Sequence, residues 1–171
     1  MQPEIVGVKK ITLVGMSFYG DPFDAHSGWD EENQIGHLWK RFMRFLSQHG
    51  EAIQKSALSH AAYEVHIYNE ETREKGLFEV FVGLEVEDIS IVPVELLVKV
   101  LPATQYAVFT FTGEQITADW EKILEQWLVS SGYQSPTMYN FQYYDERFKG
   151  LDHLAESTLD VYVPIMKMLE P

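Results

Sequence analysis

Two hydrophobic periods run through this chain. Between Gln34 and about Gln48 the apolar residues Ile35, Leu38, Trp39, Phe42, Phe45 and Leu46 recur at three- and four-residue steps, which is one face of an amphipathic helix. Asn33 stands where a cap belongs, and Gly50 follows the end. A second stripe, Trp120, Ile123, Leu124, Trp127 and Leu128, predicts a helix over 117–130 with Thr117 as its cap and Gly132 and Pro136 beyond it. Elsewhere, alternation or β-branched enrichment predicts strands over 9–17, 62–68, 77–86, 96–101, 105–112, 137–144 and 157–165. The segment 18–33, with Gly20, Pro22, Gly28 and several acids, reads as a loop, and NEETREKG at 69–76 reads as a charged turn.

Strand, helix, strand, strand therefore occurs twice, once over about 9–86 and again over about 96–165. The residues of the two units barely match, but the order of elements does. This predicts an α+β fold in which two strand-helix-strand-strand repeats join into one curved antiparallel sheet, with a groove between the halves. Such grooves commonly hold small ligands. A length of 171 residues suits one domain spanning 1–171.

Composition narrows the partners. The net charge is −13, from 26 acidic and 13 basic residues, and a field of that sign repels phosphate backbones. Direct nucleic-acid binding by this chain is not expected, and the acidic surface predicts a monomer or weak dimer. No cysteine is present, which removes disulfides, thiolate metal sites and cysteine nucleophiles. No basic region followed by a long apolar run marks a signal peptide, and no stretch approaches a membrane span. The chain reads as cytoplasmic. Its ten Phe, nine Tyr and four Trp exceed ordinary core needs and suit a pocket with an apolar body and a few polar tips.

Several segments carry a family resemblance. IGHLWKRFMRFL, FEVFVGLEVED, LPATQYAVFTFTG, WLVSSGYQ, FQYYDERF and LDVYVPI occur in that order, and together they resemble the bacterial gyrase-inhibitor-like family. That family includes effector-binding domains of multidrug-responsive and AraC-type transcription regulators, and stand-alone members. No single segment is diagnostic; the ordered set, from about Lys9 to Ile165, carries the likeness. The resemblance implies two strand-helix-strand-strand units with a ligand groove, and a pocket carboxylate on a strand of pattern Phe-Glu-x-Tyr. Here that segment is Phe141, Gln142, Tyr143, Tyr144, so an amide holds the acid's place. A neutral or zwitterionic ligand becomes comparable with a cationic one unless another acid fills in.

Alternation nominates the groove residues, since side chains two apart share a face. If the mixed polar and aromatic faces line it, the groove holds Tyr68, Phe81, Gln142, Tyr144 and Tyr162, with Glu64, Glu79 or Asp160 supplying charge and Trp39 reaching in from the first helix. The plain alternative is that these faces are solvated and that the helix tryptophans are core. The Ser17 segment GMSFYG lacks the spacing and the following helix of a nucleophile elbow. The six histidines form no metal-binding pair, and no cofactor motif is present. The reading favoured is a stand-alone sensor or sequestering binder of an amphipathic aromatic molecule, linked to transcription through a partner chain or by depleting a ligand. A hydrolase using an acid such as Glu79 as base and a protein-interaction module remain open.

Overall fold

The computed structural model describes residues 1–8, 10–90 and 92–168; Lys9, where the first strand was expected to begin, lies outside the described residues. The first repeat contains β2 (Ile11–Gly20), preceded by β1 (Glu4–Val8), then α1 (Gln34–His49), α2 (Glu51–Ser56), β3 (Ala57–Ile67), α3 (Glu70–Lys75) and β4 (Phe78–Val86). The second contains β5 (Leu97–Leu101), β6 (Thr104–Thr112), α4 (Trp120–Ser131), β7 (Tyr133–Gln134), β8 (Tyr139–Tyr144) and β9 (Thr158–Lys167). All pairings are antiparallel. The strands form one curved, unclosed sheet in the order β1-β6-β9-β8-β3-β4-β2-β5, with β7 on β9.

The two halves are tied by chain crossing. β1 pairs β6 with Glu4 opposite Val108 and Val8 opposite Thr104, while β2 pairs β5 with Ile11 opposite Leu101 and Gly15 opposite Leu97. One antiparallel register thus runs through both halves, and each long passage contributes a strand to each. Gly15 faces Gly83 across β2 and β4. A Cβ on Gly15 would meet the Val82 carbonyl oxygen at 1.9 Å, so the close approach of these strands requires glycine there.

Cross-strand partners share a face, and this sorts the core into three clusters. On one face Val14, Met16, Val80, Val82 and Leu84 pack beneath Leu38, Phe42 and Leu46 of α1. On the same face Phe109, Phe111, Leu159 and Val161 pack beneath Trp120, Leu124 and Trp127 of α4. Among the described residues the opposite face carries no helix. There Leu13, Val65, Phe81, Tyr106 and Phe141 pack against one another, which the sheet achieves by curling around them. Two helices on one face, with the central strands β8 and β3 between them, leave a groove.

Local capping follows the predicted chemistry in α1, where the Asn33 side chain accepts from the Gly36 N–H. α4 differs. It begins at Trp120 and is capped by Asp119, because residues 113–117 form a 3-10 turn in which the Thr117 hydroxyl bonds the Glu114 carbonyl. The charged turn contains the short helix α3, capped by Asn69 and stopped by Gly76 at φ 70°. β2 runs on to Gly20, so the loop after it spans 21–33 rather than 18–33. β1, α2, β7 and a 3-10 turn at Leu151–Glu156 had no predicted counterpart; each is short, and length is what makes a period readable.

Candidate functional site

The groove between α1 and α4 encloses a cavity of about 1040 Å³, at the upper end of the size range of small-molecule sites. Its floor is the helix-side face of β3 and β8. Glu64 pairs with Gln142 and His66 with Asn140, so these four polar groups lie side by side, flanked by Tyr68 and Tyr144. Trp39 and Met43 reach in from α1, Trp120 and Leu124 from α4, and Trp29 from the loop ahead of α1.

Glu64 is the centre of the floor. It is 4% exposed, yet no fixed cation pairs with it among the described residues. Its Oε2 accepts from Trp39 Nε1 at 2.5 Å, and its Oε1 accepts from His66 Nε2 at 2.8 Å. An indole N–H and an imidazole N–H thus hold the carboxylate in place. Lys40, on the cavity wall, is occupied by Glu31 at 3.2 Å and Glu32 at 3.0 Å. The rim adds Asp21, Asp30, Glu31, Asp119 and Glu121. The cavity is therefore a negative site with an aromatic wall.

The tyrosines stay neutral donors. Burial pushes the Tyr68 hydroxyl up to about 12; it accepts from Asn140 Nδ2 at 3.1 Å, leaving its own hydrogen for a ligand or water. Burial, and then the Glu64 charge, raise the Tyr144 hydroxyl well above the usual phenol range. Tyr144 donates to Gln142 Oε1 and meets Trp39 edge-on at 5.3 Å.

Of the residues nominated from sequence, Trp39, Glu64, Tyr68, Gln142 and Tyr144 line this cavity. Phe81, Tyr162 and Glu79 do not. Phe81 sits opposite Val65 and Tyr162 opposite Phe141, which places both on the helix-free face, in the self-packed cluster. Glu79 is on that face as well, 2.8 Å from Lys99 Nζ. Asp160 lies across from Tyr143 and accepts from Thr110 and Arg147. The nomination joined mixed faces of different strands without their register; β4 and β9 present theirs to the side opposite β3 and β8. Glu79 as a hydrolytic base is thereby separated from the cavity.

Other cavity residues escaped the sequence reading. Trp29, in a polar loop, packs on Trp120 at 5.5 Å and on Phe148 at 6.5 Å. A lone tryptophan among glycine and acids was the available signal. Trp120 was assigned to the core, which it also serves, stacked on Phe111. His66 shares a face with Glu64 and Tyr68 in the sequence but was not nominated, because a histidine outside any metal-binding pair gives no signal until its bond to Glu64 is seen.

Known proteins place this architecture. The transcriptional regulator BrlR of Pseudomonas aeruginosa is 29% identical over 173 residues, covering 96% of this chain but 56% of that protein; the chain thus spans little more than half of its curated relative. SAV2435 bound to tetraphenylphosphonium superposes with a TM-score of 0.67 at 13% identity, covering 97% of this chain and 94% of that one. An integron cassette protein from the mobile metagenome of Vibrio cholerae gives 0.62 at 15% identity, covering 96% of each. These likenesses fit the gyrase-inhibitor-like resemblance seen in the sequence. Among the described residues no helix is long and apolar enough to cross a membrane. Residues 4–165 match the integron-associated effector binding protein family, Cass2, and the chain belongs to that family.

Proposed function

We propose that this protein captures an amphipathic aromatic cation in the groove between α1 and α4, as a sensor or sequestering binder. The observation that carries this reading is Glu64, a buried carboxylate held by Trp39 and His66, with no lysine or arginine on it among the described residues, on the floor of an aromatic cavity. An unneutralised charge in such surroundings is costly unless a counter-charge arrives, and a ligand cation supplies it. Trp39, Tyr68 and Tyr144 offer ring faces and edges for cation–π and stacking contacts. Gln142 adds an uncharged anchor beside the acid. The fold shared with a protein that binds tetraphenylphosphonium agrees with this ligand class. Coupling to transcription would follow if occupancy is read by a regulator, as the likeness to a longer transcriptional regulator suggests.

Titration with tetraphenylphosphonium, followed by tryptophan fluorescence and calorimetry, tests the reading. Saturable one-to-one binding is expected, with the uncharged and one-ring-smaller triphenylphosphine oxide bound at least about tenfold more weakly. Absence of saturable binding to either compound would reject it.

A further inference from the structure

The charge of the cavity floor is shared with an imidazole. His66 Nε2 lies 2.8 Å from Glu64 Oε1, with the two side chains 13% and 5% exposed. A carboxylate oxygen only accepts, so Nε2 carries the hydrogen and the pair is anionic while the ring is neutral. Histidine changes charge between pH 5 and 8. Once protonated, the ring would form an ion pair with Glu64, and the floor would have no net charge. The ring packs against Phe78 at 5.3 Å and Tyr68 at 6.4 Å between centroids.

Resting on the reading above, we propose that His66 determines the charge class of the ligand: with a neutral ring the pocket takes cations, and with a charged ring it takes neutral aromatics instead. Several other groups line the same cavity as this pair. Gln142, Asn140 and Tyr144 approach from β8, Tyr68 follows on β3, and Trp39 and Lys40 stand on α1. Asp119 and Glu121 precede and open α4, and Asp21, Asp30 and Glu31 come from the loop. Of these only Trp39 bonds Glu64 directly. All are unchanged in a His66 variant, so their effects cancel when the variant is compared with the wild type.

The reciprocal consequence follows from linkage. If protonation of His66 disfavours the cation, binding the cation must expel a proton. Tetraphenylphosphonium carries a permanent charge, so any pH effect belongs to the protein.

The test measures dissociation constants for tetraphenylphosphonium and triphenylphosphine oxide at pH 5.5 and pH 8, for wild type and His66→Gln, each checked for folding by circular dichroism. Glutamine keeps a donor for Glu64 and does not titrate. In the wild type, the cation-to-neutral preference is expected to fall about tenfold or more from pH 8 to pH 5.5. In His66→Gln it should change less than about twofold. A preference independent of pH in the wild type overturns the inference and leaves the binding function standing. A pH dependence that persists in the variant overturns it as well, assigning the titration to another group. No binding at pH 8 rejects both. If the variant does not fold, calorimetry of the wild type in buffers of different ionisation enthalpy decides: proton release on binding tetraphenylphosphonium supports the assignment, and its absence overturns it.

Discussion

Replacing Glu64 with glutamine removes one negative charge from the cavity floor and changes little else. The amide has nearly the same shape, its oxygen still accepts from Trp39 Nε1, and His66 can adopt its other tautomer to accept from the new amide N–H. The electrostatic loss can be bounded. A monocation centred about 5 Å from the carboxylate gains on the order of 3 kcal/mol at an effective dielectric near 20. Stripping water from the ligand and from the acid offsets part of this. The expected outcome is a dissociation constant for tetraphenylphosphonium raised about tenfold to a hundredfold, or ~1.4–2.7 kcal/mol. Triphenylphosphine oxide, uncharged and one phenyl ring smaller, should change by less than about threefold. Titration of both compounds at pH 8 provides the comparison, with thermal unfolding to confirm that the variant is native. Equal losses for the two ligands would mean that position 64 shapes the pocket rather than charging it. No loss for either would falsify the placement of the carboxylate against the ligand.

Tyr68→Ala and Tyr144→Ala should each weaken aromatic ligands by about 1–3 kcal/mol through lost apolar and ring contact, read by the same titration. Phe81→Ala should instead lower stability by about 3–5 kcal/mol in denaturant while the folded protein binds as before, since Phe81 is fully buried on the helix-free face; weakened binding at unchanged stability would place it in the site after all. Gly15→Ala should cost about 2–4 kcal/mol because its Cβ would strike backbone at Val82 and Gly83, and near-wild-type melting would show that the strands can part there. Burial raises the Asp145 carboxyl, but hydrogen bonds from Arg147 more than offset this and hold it below the usual carboxylate range. A depressed carboxylate adds stability above its unfolded value and loses it as pH falls through its folded one. Arg147→Met should therefore cost stability at pH 6 and much less at pH 2, and by more than an exposed ion pair alone would, because it also takes the partner from the buried Asp160. With a net charge of −13 the chain should behave as a monomer or weak dimer in light scattering, against which a salt-resistant tetramer would count.

The legible parts of this fold were those in which period and length cooperate. The stripe from Ile35 to Leu46 and its Asn33 cap define α1 nearly to the residue, and the alternation of FEVFVGLEV defines β4. The duplication was legible because the order of elements repeats although the residues do not. Segments such as Glu51–Ser56 and Tyr133–Gln134 are too short for any period, and tertiary contacts decide them. The start of α4 was misplaced by three residues because Thr117 and Asp119 are both good caps, and only the 3-10 turn ahead of them selects Asp119.

The site was half legible for a different physical reason. Alternation along one strand sorts its side chains into two faces but does not say which face is which; that is settled by register against the next strand. The apolar side of β4 was assigned to the helix and the polar side of β3 to the groove, and both are the same side of the sheet, since Val82 stands opposite Glu64. Register also resolves the apparent loss of the pocket acid. Gln142 replaces the carboxylate that the family resemblance expects on β8, but Glu64 stands directly across from it on β3, with cross-strand neighbours only about 5 Å apart. On β3 the Glu64 carboxylate lies within reach of Trp39 and His66. Along the sequence the two positions are 78 residues apart and the exchange looks like a loss of function. Across the sheet they are direct neighbours, so the charge expected at one is present beside it, with the His66 imidazole at hand.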